Sequence, residues 1–248
     1  MDAEYSRELL IPMSRCDFSG RLGVADTVSL FMDMAAEVTE LLGIGLTAMD
    51  QKKFFWLTVR TRCRIHRRPK ALAPVRATTW AHAMQRAVCN RYYTLCQGDE
   101  LLAEGKTEWL VFDLLTGGVA STLDEAFYSF AASERQVCQG AKTRVGREFQ
   151  PGELLGRYTV RSTDIDIGHH MNNVKYIRAV QSLLSVETQE GLDISEFELS
   201  YVRPCLEGEE LSVYCRSVAE GYELGIFKQD GTLASTMRVW ARIGDRQD

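Results

Sequence analysis

The chain contains no Cys-x-x-Cys pair, no apolar run that could span a bilayer, no glycine-rich phosphate loop and no excess of positive charge. Each absence removes a class of protein. Seven cysteines stand at irregular spacing (16, 63, 89, 96, 138, 205 and 215), which suggests neither a disulfide framework nor a zinc site. A reducing compartment is the natural setting, and neither metal nor cofactor is expected. The first residues, Met-Asp-Ala-Glu-Tyr-Ser-Arg-Glu, lack a basic segment leading into an apolar one, so no signal peptide is expected. A membrane-spanning helix needs about 18 or more consecutive apolar residues, and no stretch approaches that. A cytoplasmic protein with no membrane association is therefore predicted. The net charge of −5 argues against general nucleic-acid binding. Histidine is scarce: there are four in 248 residues, and two of them are adjacent.

Those two, His169 and His170, lie in Asp-Ile-Asp-Ile-Gly-His-His-Met-Asn-Asn-Val-Lys-Tyr-Ile, residues 164–177. Two carboxylates, two imidazoles and two amides immediately precede a predicted helix start at Val174. A helix N-terminus offers unpaired N–H groups and partial positive charge, which suit a developing oxyanion. His and Asp beside it supply general acid/base or water-orienting groups. The plain alternative is an Asx-rich cap, because Asn and Asp are favoured there for ordinary reasons.

The chain also repeats itself. Gln97 to Trp109 aligns with Lys228 to Trp240 at an offset of 131, each with a turn, Leu-Ala and Trp. Arg68-Pro69 matches Arg203-Pro204 at an offset of 135. Each half has one predicted helix with a buried stripe, Asp26 to Leu42 (capped by Asp26 or Thr27, stopped by Gly43) and Asn172 to Leu184. Strands are predicted around 60–66, 91–95, 108–113, 211–216, 224–227 and 236–243. The fold expected is α+β: in each half a lead strand, one long helix and a bent antiparallel sheet. A short helix near Leu123–Glu134 and a charged stretch (Lys142, Arg144, Arg147, Glu148) read as the connection.

A single helix wrapped by an antiparallel sheet, duplicated in tandem, is the double hotdog arrangement. Residues 164–177 resemble the acyl-carrier-protein thioesterases of plastids and bacteria, whose second half carries D-x-D-x-N-x-H-x-N-N-x-x-Y. Asp17, Gly20, Leu42-Gly43-Ile44-Gly45, Trp56-Leu57, Arg68-Pro69 and Trp109…Asp113…Thr116 extend the resemblance over nearly the whole chain. It implies hydrolysis of a fatty-acyl thioester on acyl carrier protein. Asp166, His170, Asn172 and Asn173 match the site segment. Two departures stand out: Gly168 replaces an Asn, and Pro204-Cys205 replaces Glu-Cys. His169 could substitute for the amide, and Glu198 or Glu207 for the carboxylate. Cys205 as a nucleophile with His170 is weighed against a plain role in a turn, since Arg203-Pro204-Cys205 aligns with Arg68-Pro69-Lys70.

The first half has no counterpart to the histidines, so one catalytic site per chain is expected. The boundaries drawn are 1–125 for a first unit carrying the acyl-chain pocket, 126–155 for a linker and 156–248 for the catalytic unit. Phe31, Met34 and Trp56 are candidate pocket residues, although such side chains on a helix are more often core. Arg60, Arg62, Arg64 and His66 alternate along one strand face, and Arg67, Arg68 and Lys70 extend them. In an acidic protein such a stripe suggests an acidic partner, and Arg62 and Arg64 are expected to bind acyl carrier protein. The rival readings are an acyl-CoA thioesterase, a dehydratase on the same fold and a non-catalytic acyl-binding module. Monomer and homodimer both stay open.

Overall fold

The computed structural model describes residues 3–140 and 149–243. It divides into two compact units, Met1–Gln139 and Gly140–Asp248. The charged stretch Lys142, Arg144, Arg147 and Glu148 lies outside the described residues.

The first unit runs β1 (Glu4–Leu10), a 3-10 turn at Met13–Arg15, α1 (Val24–Leu41) and α2 (Leu46–Lys52). Five strands follow: β2 (Phe54–Ile65), β3 (Pro74–Ala81), β4 (Val88–Gln97), β5 (Glu100–Asp113) and the short β6 (Gly118–Val119). The sheet order is β1-β3-β4-β5-β2 with β6 on β5, all pairs antiparallel. Val24, Val28, Phe31, Ala35 and Val38 form the buried stripe of α1. The helix begins earlier than the sequence suggests because its cap is Gly23, which uses no side chain. A Cβ at residue 23 would stand 2.7 Å from Asp26 Oδ2, so a larger residue there would require the Asp26 side chain to move. Thr27 lies inside the helix and donates its hydroxyl to Gly23 O at 3.1 Å. The short helix expected near Leu123–Glu134 is one 3-10 turn, Glu125–Phe127. Its work is packing: buried Phe127 closes a cluster with Ile44, Phe54 and Val111.

The second unit repeats the order: β7 (Glu153–Thr159), a 3-10 turn at Ser162–Asp164, α3 (Asn173–Ser182), α4 (Val186–Glu190), then β8 (Leu192–Tyr201), β9 (Glu210–Val218), β10 (Gly221–Lys228) and β11 (Leu233–Ile243). Its sheet order, β7-β9-β10-β11-β8, matches the first unit strand for strand. The long helix stops short of the expected Leu184 because Ser185 caps a new helix, accepting from Thr188 N at 3.1 Å. Each unit is thus one long helix and an antiparallel sheet, and the chain is an α+β tandem hotdog.

Candidate active site

The segment ahead of α3 is a small hairpin closed by its own backbone. Asp166 N donates to His170 O (3.0 Å), His169 N donates to Asp166 O (3.0 Å), and Ile165 bridges Met171. Asp166 Oδ1 accepts from Gly168 N at 2.8 Å, an Asx turn. His169 sits at φ +58°, the left-handed region that favours glycine. Its side chain is exposed and that of His170 is half-buried. Asn172 is the N-cap of α3, its Oδ1 accepting from Val174 N at 3.0 Å. The side-chain oxygen of Asn172 is therefore spent on the cap, and so is the Val174 N–H, one of those expected for an oxyanion. Asn173 is the first residue of the helix, and its carbonyl accepts from Tyr201 Oη at 3.2 Å. The hairpin is fastened to the turn after β8, where Met171 N donates to Cys205 O at 2.8 Å.

The first unit contains the same hairpin, residue for residue. Asp17 N donates to Arg21 O (2.9 Å), Gly20 N donates to Asp17 O (2.9 Å), and Cys16 bridges Leu22. Asp17 Oδ1 accepts from Ser19 N at 2.9 Å, as Asp166 does from Gly168. Gly20 takes the positive φ that His169 takes in the second unit. Around the two carboxylates the hairpins diverge. Asp17 is also bound by the hydroxyl of Ser19 and the guanidinium of Arg68. These contacts outweigh the upward push of burial and hold its pKa below the usual carboxylate range. Among the described residues Asp166 has no such cation, and Gly168 N is its one side-chain partner. Arg203, the sequence counterpart of Arg68, is exposed and forms no ion pair among the described residues.

Asp164, the first acid of the motif, is a structural group that the sequence reading left without a role. It is buried and accepts from Tyr158 Oη (2.7 Å) and Arg161 N (2.9 Å), with Lys175 Nζ at 3.5 Å. Burial alone would raise its pKa, but the hydrogen bonds from Arg161 and Tyr158 and the charge of Lys175 leave it lowered. Tyr158 is pushed up to about 12 by burial and by Asp164. Cys205 is fully buried, and burial raises its thiol pKa. A thiol held protonated is a poor nucleophile, so the covalent role weighed for Cys205 is not supported by its surroundings. Glu198 faces away from α3: Phe197, Leu199 and Tyr201 share the opposite face of β8, and the Tyr201 ring meets Tyr176 of α3 at 5.5 Å. It is therefore not placed to replace the missing carboxylate. Glu207 is exposed on the turn that follows Cys205.

The other candidates are in the first unit. Phe31 and Met34 are buried in α1, with the Phe31 ring stacked on Tyr93 at 4.9 Å. Trp56 donates from Nε1 to Ile44 O at 2.8 Å and packs against the Phe127 ring. The basic stripe is not the open patch expected. Arg62 is only 8% exposed. Arg64 donates to Glu104 Oε1 (2.8 Å) and Gln139 O (3.0 Å), Arg67 is held by Glu100, and Arg68 by Asp17. The alternation that put these residues on one face also put acids on the neighbouring strands, which the local sequence does not reveal. Among the described residues no three His, Cys, Asp or Glu side chains converge as metal ligands, and no helix is long and apolar enough to cross a membrane.

Comparison with known proteins bears on both units. The family model described as the acyl-ACP thioesterase N-terminal domain matches residues 2–130, and that of the C-terminal domain matches residues 152–237. A chloroplastic palmitoyl-acyl carrier protein thioesterase of Gossypium hirsutum is 24% identical over 175 residues, 66% of this chain and 42% of its own length. A chloroplastic oleoyl-acyl carrier protein thioesterase of Arabidopsis thaliana is 22% identical over 223 residues, 83% of this chain and 60% of its own. The chain thus spans 42% and 60% of the lengths of these two curated relatives, less than two thirds of either. An acyl-ACP thioesterase from Bacteroides thetaiotaomicron superposes with a TM-score of 0.84 at 19% identity, covering 97% of this chain and 98% of that one. The 12:0-ACP thioesterase of Umbellularia californica gives 0.76 at 18% identity over 98% and 99%.

Proposed function

The chain belongs to the acyl-ACP thioesterase family, and on that premise we propose that its second unit hydrolyses fatty acyl thioesters carried on acyl carrier protein. The observation that carries this is the paired hairpin: one copy neutralises its aspartate with Arg68, and in the other Asp166 has no cation among the described residues and shares the hairpin with His170. Asp166 is assigned to hold and deprotonate the attacking water. His170 hydrogen-bonds that water or the departing thiol. Asn173 and the positive end of α3 meet the thioester carbonyl as its oxygen gains charge. A thioester has a good leaving group, so this small set suffices if the water is well placed. His169, in the same hairpin, and Glu207, on the turn after Cys205, are further polar candidates. Seven free cysteines suit a reducing compartment, and we place the reaction in the cytoplasm.

The test is release of free thiol from acyl-acyl carrier protein, with the same chains on CoA for comparison. Asp166→Asn and His170→Ala are each expected to lower kcat/KM by about 10² to 10⁴, the usual span for lost acid/base catalysis, without a change in melting temperature. Retention of turnover in both would remove the assignment. Pro204, standing where the family resemblance expects Glu, favours one second reading, an acyl-binding module. Tight acyl binding with no thiol release would select it.

A further inference from the structure

By hydrogen-bond pattern, the turn after β8 corresponds to the turn after β2 one residue out of step with the Arg-Pro match in sequence. Met171 N donates to Cys205 O at 2.8 Å, as Leu22 N does to Pro69 O at 2.9 Å. Val160 N donates to Glu209 O at 2.9 Å, as Ile11 N does to Ala73 O at 3.1 Å. Pro204 therefore stands opposite Arg68, and Glu209 opposite Ala73. In the first unit Arg68 ties the hairpin through Asp17, Arg21 Nη1 donates to Arg68 O at 2.9 Å, and Ala71 N donates to Gly20 O at 3.0 Å. Proline brings neither an N–H nor a charge. Among the described residues, the hairpin that carries Asp166 and His170 has one hydrogen bond to its turn, that of Met171 to Cys205.

That turn is held instead by a pair of residues without counterpart in the first unit. Glu209 Oε2 accepts from Leu206 N at 3.0 Å, which closes the turn, and Oε1 accepts from Lys228 Nζ of β10 at 3.0 Å. Ala73 and Gln97 stand in their places in the first unit. Cys205 links this clamp to the hairpin and the helix: its carbonyl receives Met171 N, and Tyr176 of α3 hydrogen-bonds its side chain. Burial dominates at the Cys205 thiol, but Tyr176, Lys228 and Glu209 all act on it, which sets the clamp close by. Both charged side chains keep some contact with water, and such an ion pair adds little to stability. What it fixes is the place of the Cys205 carbonyl, and with it Met171 and the preceding His170.

We propose that Glu209, held by Lys228, is a positioning residue for the hairpin of the second unit. It fixes the turn at Cys205 and, through Met171, the placement of His170 and Asp166. This rests on the hydrolysis assigned to that hairpin. Glu209 acts through the turn and takes no proton in the reaction.

Two readouts on the full chain test this, turnover and the His170 ring signal in proton–carbon NMR, the latter identified by its loss in His170→Ala. Misplacing a catalytic group by about 1 Å can cost about 10²-fold, so Glu209→Ala is expected to lower kcat at least about tenfold with KM within about twofold. Glu209→Gln keeps an acceptor for Leu206 N and Lys228 and should stay within about threefold of wild type. Lys228→Met should lower kcat in the same direction, and Glu209→Ala combined with Lys228→Met should be no worse than Glu209→Ala alone. In both single variants, Glu209→Ala and Lys228→Met, the His170 signal should shift while those of His66 and His82 in the first unit stay put. A plain stability role would lower the melting temperature and leave kcat per folded chain unchanged at 20 degrees or so below it. That result, or an unmoved His170 signal, overturns the proposal. A wild-type chain that releases no thiol would overturn the hydrolysis instead, and the His170 signal would still decide the positioning.

Discussion

At the scale of single residues, neighbouring groups in the second unit divide between holding the fold and, on the proposed reading, doing chemistry. Asp164 and Asp166 are two positions apart, yet one carboxylate is buried under Tyr158 and Arg161 and the other has, among the described residues, one partner, the backbone N–H of Gly168. Asp164→Ala is expected to cost about 2 kcal/mol, because it strands the donors that Asp164 satisfies. The pH dependence has a definite sign. A carboxyl whose folded pKa is lowered stabilises the fold above its unfolded pKa of about 4, and that contribution is lost as pH falls through the folded value. Denaturation curves should therefore show a gap between wild type and Asp164→Ala that is constant from neutral pH to about pH 5 and shrinks below pH 4. Cys205 makes the converse point. Cys205→Ser should retain turnover within about threefold while losing about 1–2 kcal/mol of stability, because a hydroxyl replaces a buried thiol. A loss of turnover matching that of His170→Ala would restore the nucleophile.

At the scale of elements, much was visible before the fold was known. The stripe Val28, Phe31, Ala35, Val38 marks α1, and the alternation from Arg60 to Ile65 marks β2. The ends were less visible. A glycine cap leaves no side-chain signal, so Gly23 hides the true start of α1, and the second start at Ser185 shortens α3. Nor does a strand's own sequence disclose what faces it, which is why Arg64 read as docking surface while Glu104 neutralises it from β5. The long helix of the first unit depends on such a cross-element fit. A Cβ at Gly105 of β5 would stand 2.8 Å from the Phe31 ring, which is already stacked on Tyr93. Gly105→Ala is expected to cost about 1–3 kcal/mol by overpacking. Urea denaturation would show a lower midpoint with an unchanged slope, and an unshifted midpoint would mean that α1 can slide to make room.

At the scale of the whole chain, the question is why two copies of one hairpin have different work. Duplication was legible in Trp109 and Trp240 with their matching turns, and in the repeated Arg-Pro. Legible too was the absence of imidazole from the first copy, where Arg21 stands for His170 and Gly20 for His169. What no spacing could show is that Arg68 reaches back to Asp17 while Arg203 leaves Asp166 alone, since the two arginines occupy equivalent places in sequence. That difference turns one carboxylate into a brace and leaves the other available. The copies should then respond oppositely to one substitution. Asp17→Asn should lower stability by about 1–2 kcal/mol, through loss of the ion pair to half-buried Arg68, and leave turnover within about twofold. Its effect on stability should fade below about pH 4, because the lowered pKa of Asp17 makes its contribution one that acid removes. Asp166→Asn should leave the melting temperature alone and remove turnover. Both proteins can be followed by thermal melts and thiol release on the same preparation. If Asp17→Asn abolished turnover without loss of stability, the first hairpin would belong to the reaction, and the division between brace and base would be wrong.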